Sequence, residues 1–435
     1  MSTAGPPQGA QHRSAQREGT PVSPSIASCV SDQRLWERHE ALAQIGATGR
    51  GGVNRQALSA EDAAACRQLV AWGEAIGMAP SRDAAGNVFL TLRGTAADAP
   101  PVLSGSHLDS QPTGGRYDGV YGVLAALEAC EALHAAGLRP ARDIVVVAWM
   151  NEEGSRFAPG MMGSAVFAGA RTLEDIAPVR DADGTTVAQA LRDMRAALAA
   201  LPERPLGGAV HAYVEAHIEQ GPILEREQVP IGVVTGIQGK RTFRVTVQGE
   251  ASHAGTSTRA ERRDALLAAM DMLAALRAQL HDAEDITKFT VGRFSVAPNA
   301  PSVVPSQVVF SIDLRHPSSA LLRSLGDAIA PLCLAHAGPC TVQVEELSSA
   351  MSLEFPQAMR ARIHGAAAAL GLEAMDILSA AGHDARYLHA VCPSAMVFIP
   401  CHLGITHNEG ESITREDAGH GARVLAQVLW ELAQA

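Results

Sequence analysis

The sequence predicts an α/β protein: a mixed, mostly parallel sheet flanked by helices and interrupted by a smaller inserted α+β unit. Three observations carry this reading. Residues 143–150, Asp-Ile-Val-Val-Val-Ala-Trp-Met, are a continuous apolar run of the kind found in central parallel strands buried on both faces. Between residues 236 and 350 the pattern runs β-α-β-β-α-β, the order of a ferredoxin-like unit. After residue 350 the texture of the earlier chain returns, so the larger domain is discontinuous. At 435 residues the chain exceeds the size at which single cores stop growing, in keeping with two domains.

Residues 1–31 are rich in Gly, Pro, Ser and Gln, lack the apolar core of a secretory leader, and read as a disordered tail. From 32 to 76 the pattern is helical, with Trp36, His39, Leu42 and Ile45 at helical spacing and Ser59 ahead of Glu61 and Asp62 as a helix start. Residues 87–92 read as a strand, and 101–106 as a short buried strand with His107 and Asp109 just past its end. The small, apolar stretch 119–136 suits a helix packed closely on a sheet. The run 143–150 then delivers Glu152 and Glu153 at its C-terminal end, the edge where ligands bind in open α/β sheets. In the inserted unit, 240–249, 287–295, 306–314 and 341–346 read as strands and 261–281 and 318–336 as helices. A helix over 417–433 closes the chain. The expected domains are 32–235 joined with 351–435, and 236–350.

Hydrophobic residues at 47% and charged residues at 19% are ordinary for a soluble globular protein. A formal charge of −11 argues against nucleic acid or an anionic membrane as the main partner. No apolar run reaches bilayer-spanning length. Seven cysteines (29, 66, 130, 333, 340, 392 and 401) show neither a disulfide-scaffold spacing nor a Cys-x-x-Cys pair, and read as reduced thiols of a cytoplasmic protein.

Scattered along this frame are groups that suit a divalent metal: His107, Asp118, Glu153, His217 and His407. Imidazoles mixed with carboxylates are a natural donor set for zinc, and manganese, cobalt or nickel are also compatible. Glu152 is a spare carboxylate beside a ligand, which is what activation of water requires. Each motif also has a plainer reading. His107 and Asp109 could be a loop histidine and a helix cap, Asp118 a turn residue among glycines, and Glu152-Glu153 a polar strand end. His217 could be a structural histidine near a helix end. Arg315 could grip a substrate carboxylate or form a surface ion pair. His253, in the inserted unit, lies far along the chain from the other groups and fits only if domains close or a second subunit supplies it. His402 reads as structural.

Taken together, the strings resemble the amidase, hydantoinase/carbamoylase family of dinuclear metal hydrolases over nearly everything from residue 32 to 435. They are Gly-Ser-His-Leu-Asp-Ser-Gln-Pro-Thr-Gly-Gly-Arg-Tyr-Asp-Gly, Asn-Glu-Glu-Gly-Ser-Arg-Phe, His-Ile-Glu-Gln-Gly-Pro, Gly-Glu-Ala-Ser-His-Ala-Gly-Thr, Gly-His-Asp-Ala and Thr-His-Asn-Glu, in this order. The resemblance implies a catalytic domain carrying two metal ions and a lid domain that also forms a homodimer. It implies Asp118 as the bridging ligand, Glu153 and His407 at one metal, and His107 and His217 at the other. Glu152 would be the general base, with His253 reaching in from the opposite subunit to stabilise the oxyanion. Gln220, Arg241, Asn299, Ser302, Arg315, Gly382 and His383 fall on substrate-contacting positions. Ser302 is a departure, since the family places Asn there.

The activity implied is hydrolysis of an N-carbamoyl amino acid to the amino acid, ammonia and carbon dioxide. N-carbamoyl-β-alanine and allantoate hydrolysis are the close alternatives. A peptidase is disfavoured because His217 replaces that branch's acidic ligand, and a non-catalytic metal-binding relative because the base and every ligand position are present.

Overall fold

The computed structural model describes Met1 and residues 26–96 and 98–435. Most of the expected tail lies outside the described residues. Its last part corrects the expectation: Ile26–Cys29 forms a short 3-10 turn, and Ile26, Ala27 and Val30 are buried. Ile26 and Val30 join the core that holds the C-terminal helix, Arg415–Gln434, so three apolar side chains suffice to dock this segment despite its polar surroundings.

The larger sheet has the spatial order Ala79–Arg82, Val88–Leu92, Ile144–Trp149, Val102–His107, Ala212–Ile218, Ser394–Ile399, Ile231–Ile237 and Leu353–Glu354, with Ala374–Ser379 also paired to Ile231–Ile237. The central strands Ile144–Trp149, Val102–His107, Ala212–Ile218 and Ser394–Ile399 are parallel neighbours, so their C-terminal ends open on one edge. Each is buried along its whole length; Ile144–Trp149 and Ser394–Ile399 are accordingly almost wholly apolar, while Val102–His107 and Ala212–Ile218 carry buried polar groups among their apolar ones. Alternate residues still sort to opposite faces. Ile144, Val146 and Ala148 join the core beneath the helices Asp32–Ala43, Val120–Ala135 and Arg415–Gln434, while Val145, Val147 and Trp149 join a smaller core on the other face. The helix Val120–Ala135 approaches the sheet so closely that a Cβ at Gly122 would meet the Ala216 carbonyl oxygen at 2.2 Å. That contact explains the small-residue texture of this helix.

The inserted unit has its own sheet, ordered Phe294–Ala297, Gln307–His316, Gly239–Gln248 and Thr341–Ala350, with every pairing antiparallel. Lys288–Thr290 also pairs with Gln307–His316, so the expected single strand over 287–295 is two short pieces. The helices Ala265–Leu280 and Ser319–Ala335 cover one face. The first begins at Ala265 because the Asp264 carboxylate accepts from the Leu266 and Leu267 N–H groups and caps it there.

Candidate metal centre and substrate residues

The parallel edge brings the scattered ligands together. His107 ends its strand, His217 is the penultimate residue of the next, and both side chains are buried. Asp118 lies in the loop before the helix Val120–Ala135 and faces both clusters. Its Oδ1 is 3.1 Å from His217 Nε2 and 3.8 Å from His107 Nε2, while its Oδ2 is 3.3 Å from His407 Nε2. Glu153 Oε2 is in turn 3.2 Å from His407 Nε2. Donor atoms of His107, Asp118 and His217 lie within 4.8 Å of one another, as do those of Asp118, Glu153 and His407. The two triplets share one carboxylate.

Local backbone features aim these groups. Gly119 sits at φ +66°, and a Cβ there would meet His107 Nε2 at 2.3 Å, so only glycine leaves the cradle open. His407 itself adopts φ 53°, which turns its ring toward Asp118 and Glu153. Both buried imidazoles use Nδ1 on backbone carbonyls, His107 on Asp109 and His217 on Ile218, each at 2.9 Å, which leaves Nε2 for the cluster. Asp109 accepts from the Glu152 and Glu153 N–H groups at 3.1 and 3.2 Å, fixing the turn that presents both acids. Glu152 reaches over the cluster, its Oε2 3.6 Å from His107 Nε2.

Electrostatics match a cation site. Burial alone would raise the Asp118 carboxyl, but hydrogen bonds to His217 and His407 and the nearby imidazoles hold it well below the usual range. Burial works against a charged His217, yet its hydrogen bond to Asp118 pushes it up to about 9. Hydrogen bonds to Asp118 and Glu153 push His407 up to about 10. Positive charge is thus held between these donors, where a divalent ion would take the place of the imidazole protons. Desolvation, then the charges of Asp384, Glu153 and Asp109, raise Glu152 well above the carboxylate range. The donor set, the glycine cradle and this demand for positive charge all fit a metal.

Three residues assigned to the substrate stand beside the cluster. The Gln220 amide donates to Asp118 Oδ2 at 2.8 Å, and its carbonyl oxygen is buried without a partner among the described residues. His383 is buried, packs edge-on against His217 with ring centroids 4.5 Å apart, and follows Gly382 in a loop against Met161. The inserted unit divides the rest. Arg315 lies on the sheet face away from the helices and donates through Nη1 to the Ala380 carbonyl at 3.0 Å. Exposed on the same unit, His253 accepts from the Gly255 N–H, with Asn299 and Ser302 also exposed nearby. These three do not meet the cluster within one chain.

Arg241 departs from the expectation. It is buried on the opposite, helix-covered face, where Glu346 accepts from Nε and Nη2, each at 2.8 Å. Asp327 and the Arg323 carbonyl take Nη1 at 2.7 and 2.9 Å. Its guanidinium is committed to the unit's own framework and is not available to a substrate. The sequence held the signal: Arg241 shares its alternation with Phe243, Val245 and Val247, all buried, whereas Arg315 is out of phase with Ile312 and Leu314.

A model of peptidase family M20/M25/M40 matches residues 103–431, which takes in every cluster residue, the inserted sheet, and the larger sheet apart from Ala79–Arg82, Val88–Leu92 and Val102. The chain belongs to this family. Among curated relatives it is 39% identical to the N-carbamoyl-L-amino-acid amidohydrolase of Rhizobium meliloti over 93% of this chain and 97% of that one. It is 30% identical to the allantoate amidohydrolase of Bacillus subtilis, over 94% and 98%. Among solved structures, a hydantoinase/carbamoylase family amidase from Burkholderia multivorans superposes with a TM-score of 0.86 at 42% identity, covering 95% of this chain and all of that one. The resemblance read from the six motifs is therefore borne out. Hydrolases of the M20 family use a dinuclear metal site, and the two triplets around Asp118 are candidate metal-binding groups in this chain.

Some residues that hold this candidate site together left little or no signal in the sequence. Glu411 accepts from the Tyr117 and Asp118 N–H groups at 2.8 and 3.0 Å, and Thr406 donates to both Glu411 and Asp118. Fully buried Glu215 accepts from Ser106 Oγ at 2.7 Å and the Ala385 N–H at 2.9 Å, tying the two histidine-bearing strands to the segment after His383. Only Glu215 left a trace, as a lone acid in the apolar run Ala-Tyr-Val-Glu-Ala-His-Ile.

Proposed function

We propose that this chain is a metal-dependent amidohydrolase that cleaves the ureido C–N bond of an N-carbamoyl amino acid. One observation carries the reading: Asp118 turns one carboxylate oxygen to His107 and His217 and the other to His407, itself paired with Glu153, with Glu152 poised beside them. Asp118 would be shared between two metal ions, with Glu153 and His407 holding one and His107 and His217 the other; zinc suits this donor set, and manganese, cobalt or nickel are alternatives. Two divalent ions held there would supply Lewis acidity, lowering the pKa of the attacking water and polarising the carbonyl.

Glu152 takes a proton from water as the oxygen adds to the ureido carbon, then returns it to the nitrogen that leaves with the amino acid. The expelled carbamic acid breaks down to ammonia and carbon dioxide. The Gln220 carbonyl oxygen accepts a substrate N–H, Gly382 and His383 line the approach, and Arg315 grips the carboxylate. The unit 236–350 acts as lid and dimer interface, and His253 of the partner subunit donates to the developing oxyanion. Its exposed place on the unit supports delivery to a neighbouring copy. Asn299 and Ser302, on the same exposed loop, tune which acid is accepted. Seven free thiols support a cytoplasmic site of action, and among the described residues no helix is long and apolar enough to cross a membrane.

The test is ammonia release from a panel of N-carbamoyl-α-amino acids, N-carbamoyl-β-alanine and allantoate, with native and Glu152→Gln protein at two ions per chain. The reading expects an α-carbamoyl acid to be preferred and Glu152→Gln to lose about a thousandfold in kcat with its metal retained. Unchanged hydrolysis by the metal-loaded variant would remove Glu152 as the base. Preference for allantoate would move the chain to that branch. The variant Ser302→Asn on the same panel tests the departure: an unaltered preference profile removes Ser302 from the specificity argument.

A further inference from the structure

Beyond the cluster, the open face of the inserted sheet carries a small charged assembly. Asp313 and Arg315 follow one another on this face of Gln307–His316, and Lys240 is the direct cross-strand neighbour of Arg315. Asp313 accepts from Arg315 along one edge of the guanidinium, from Nε at 2.9 Å and from Nη2 at 3.2 Å. Lys240 Nζ lies 3.1 Å from Asp313 Oδ2. Through Nη1 Arg315 donates to the Ala380 carbonyl, which also accepts from Gln238 Nε2 at 3.0 Å. Ala380 opens the loop that leads to His383, whose ring packs on His217. One short loop therefore registers the guanidinium against the cluster. A recess of about 600 Å³ opens beside Arg315, Asp313 and Ala380.

A guanidinium has five N–H groups. Those on Nε, one on Nη2 and one on Nη1 are engaged, which leaves one on each terminal nitrogen. Paired N–H donors are what a carboxylate accepts in a bidentate contact. We propose that Asp313, itself restrained by Lys240, is the positioning residue that fixes Arg315 to receive a substrate carboxylate end-on through its terminal nitrogens. The side edge of the guanidinium is closed to substrate, so the carboxylate must meet the end of a side chain that cannot swing. The span between that anchor and the scissile carbonyl is then set by the protein, which makes Asp313 a determinant of which carbamoyl acids fit. Lys240 acts differently, offsetting the Asp313 charge that would otherwise repel the incoming carboxylate. Burial acts to raise the Asp313 carboxyl, but pairing with Arg315 and Lys240 holds it below the usual range.

This inference rests on the reading of Arg315 as the carboxylate anchor, and the experiment separates the two. Steady-state kinetics would be measured on the metal-loaded enzyme with a preferred N-carbamoyl amino acid and with its neutral carboxamide. The proteins are native, Arg315→Met, Asp313→Asn, the double variant, and Lys240→Met as a milder change at a partly exposed position. If Arg315 is the anchor, Arg315→Met raises KM for the acid by about a hundredfold and leaves the carboxamide alone. If Asp313 positions it, Asp313→Asn raises KM for the acid by about tenfold with kcat held, the carboxamide is unaffected, and the double variant is no worse than Arg315→Met alone. Lys240→Met should raise KM for the acid severalfold. An Asp313→Asn protein that treats acid and carboxamide alike, or a double variant with additive losses, overturns the positioning role while leaving the anchor intact. Indifference of Arg315→Met to the substrate's charge overturns the anchor itself.

Discussion

The edge of the larger sheet and the open face of the inserted unit carry comparable chemistry in opposite states. At the sheet edge, His107, Asp118 and His217 are buried, and each has backbone or carboxylate partners that leave a single orientation. On the inserted unit, His253, Asn299 and Ser302 are exposed, whereas Arg315 touches the larger domain at the Ala380 carbonyl. The first region is organised by folding, and the second is left open by it. Burial makes a charged cluster costly unless every member is paired, so folding must settle it. Exposed groups carry no such demand, so folding leaves their geometry open.

The most direct way to break this comparison is Asp118→Asn. Losing the shared carboxylate should strip the chain of both ions and lower activity by about a thousandfold or more, read by metal analysis beside ammonia release. Retention of two ions would show that the triplets are independent. Next in size, Asp109→Asn should weaken metal affinity about 10- to 100-fold in a chelator competition, because the turn presenting Glu152 and Glu153 loses its acceptor strength.

Two smaller effects sharpen the contrast between fold and function. At pH 5.5 the buried His39 should cost stability. Desolvation lowers it to about 3, and neither ring nitrogen has a hydrogen-bond partner among the described residues. The unfolded histidine takes up a proton below about pH 6.5 while the folded one does not, so stability falls as pH drops through this window. Between pH 7.5 and 5.5, urea unfolding should shift in favour of His39→Leu by about 1.4 kcal/mol relative to native protein. A constant difference between the two would mean that His39 is charged or hydrated in the fold. Last, Arg241→Met should cost about 1 kcal/mol of stability, discounted because Asp327 and Glu346 are partly exposed, while KM stays unchanged. A KM change matching that of Arg315→Met would restore Arg241 to the substrate site.

Much of the candidate site was legible because the proposed ligands follow strand-like runs or sit near glycines, and such punctuation is local. His107, Glu152 and Glu153 could be placed at strand ends from one run of residues each. Glu411 and Thr406 could not, because their value lies in hydrogen bonds to Asp118 and its neighbour nearly 300 positions away. The docked segment Ile26–Cys29 was missed for a related reason: a polar composition hides a few apolar side chains that find a groove. Arg241 was different, since its alternation with Phe243 and Val245 already marked it as facing the helices.

Local pattern alone settled the kinds of groups, their order and the secondary structure that carries them, because periodicity and turn chemistry act over a few residues. It took the packed fold to show that Asp118 faces two triplets at once, that Glu215 joins the histidine strands, and that Arg241 and Arg315 stand on opposite faces. The order of strands in a sheet is set by how distant segments share one core, and a ligand's partners follow from that order.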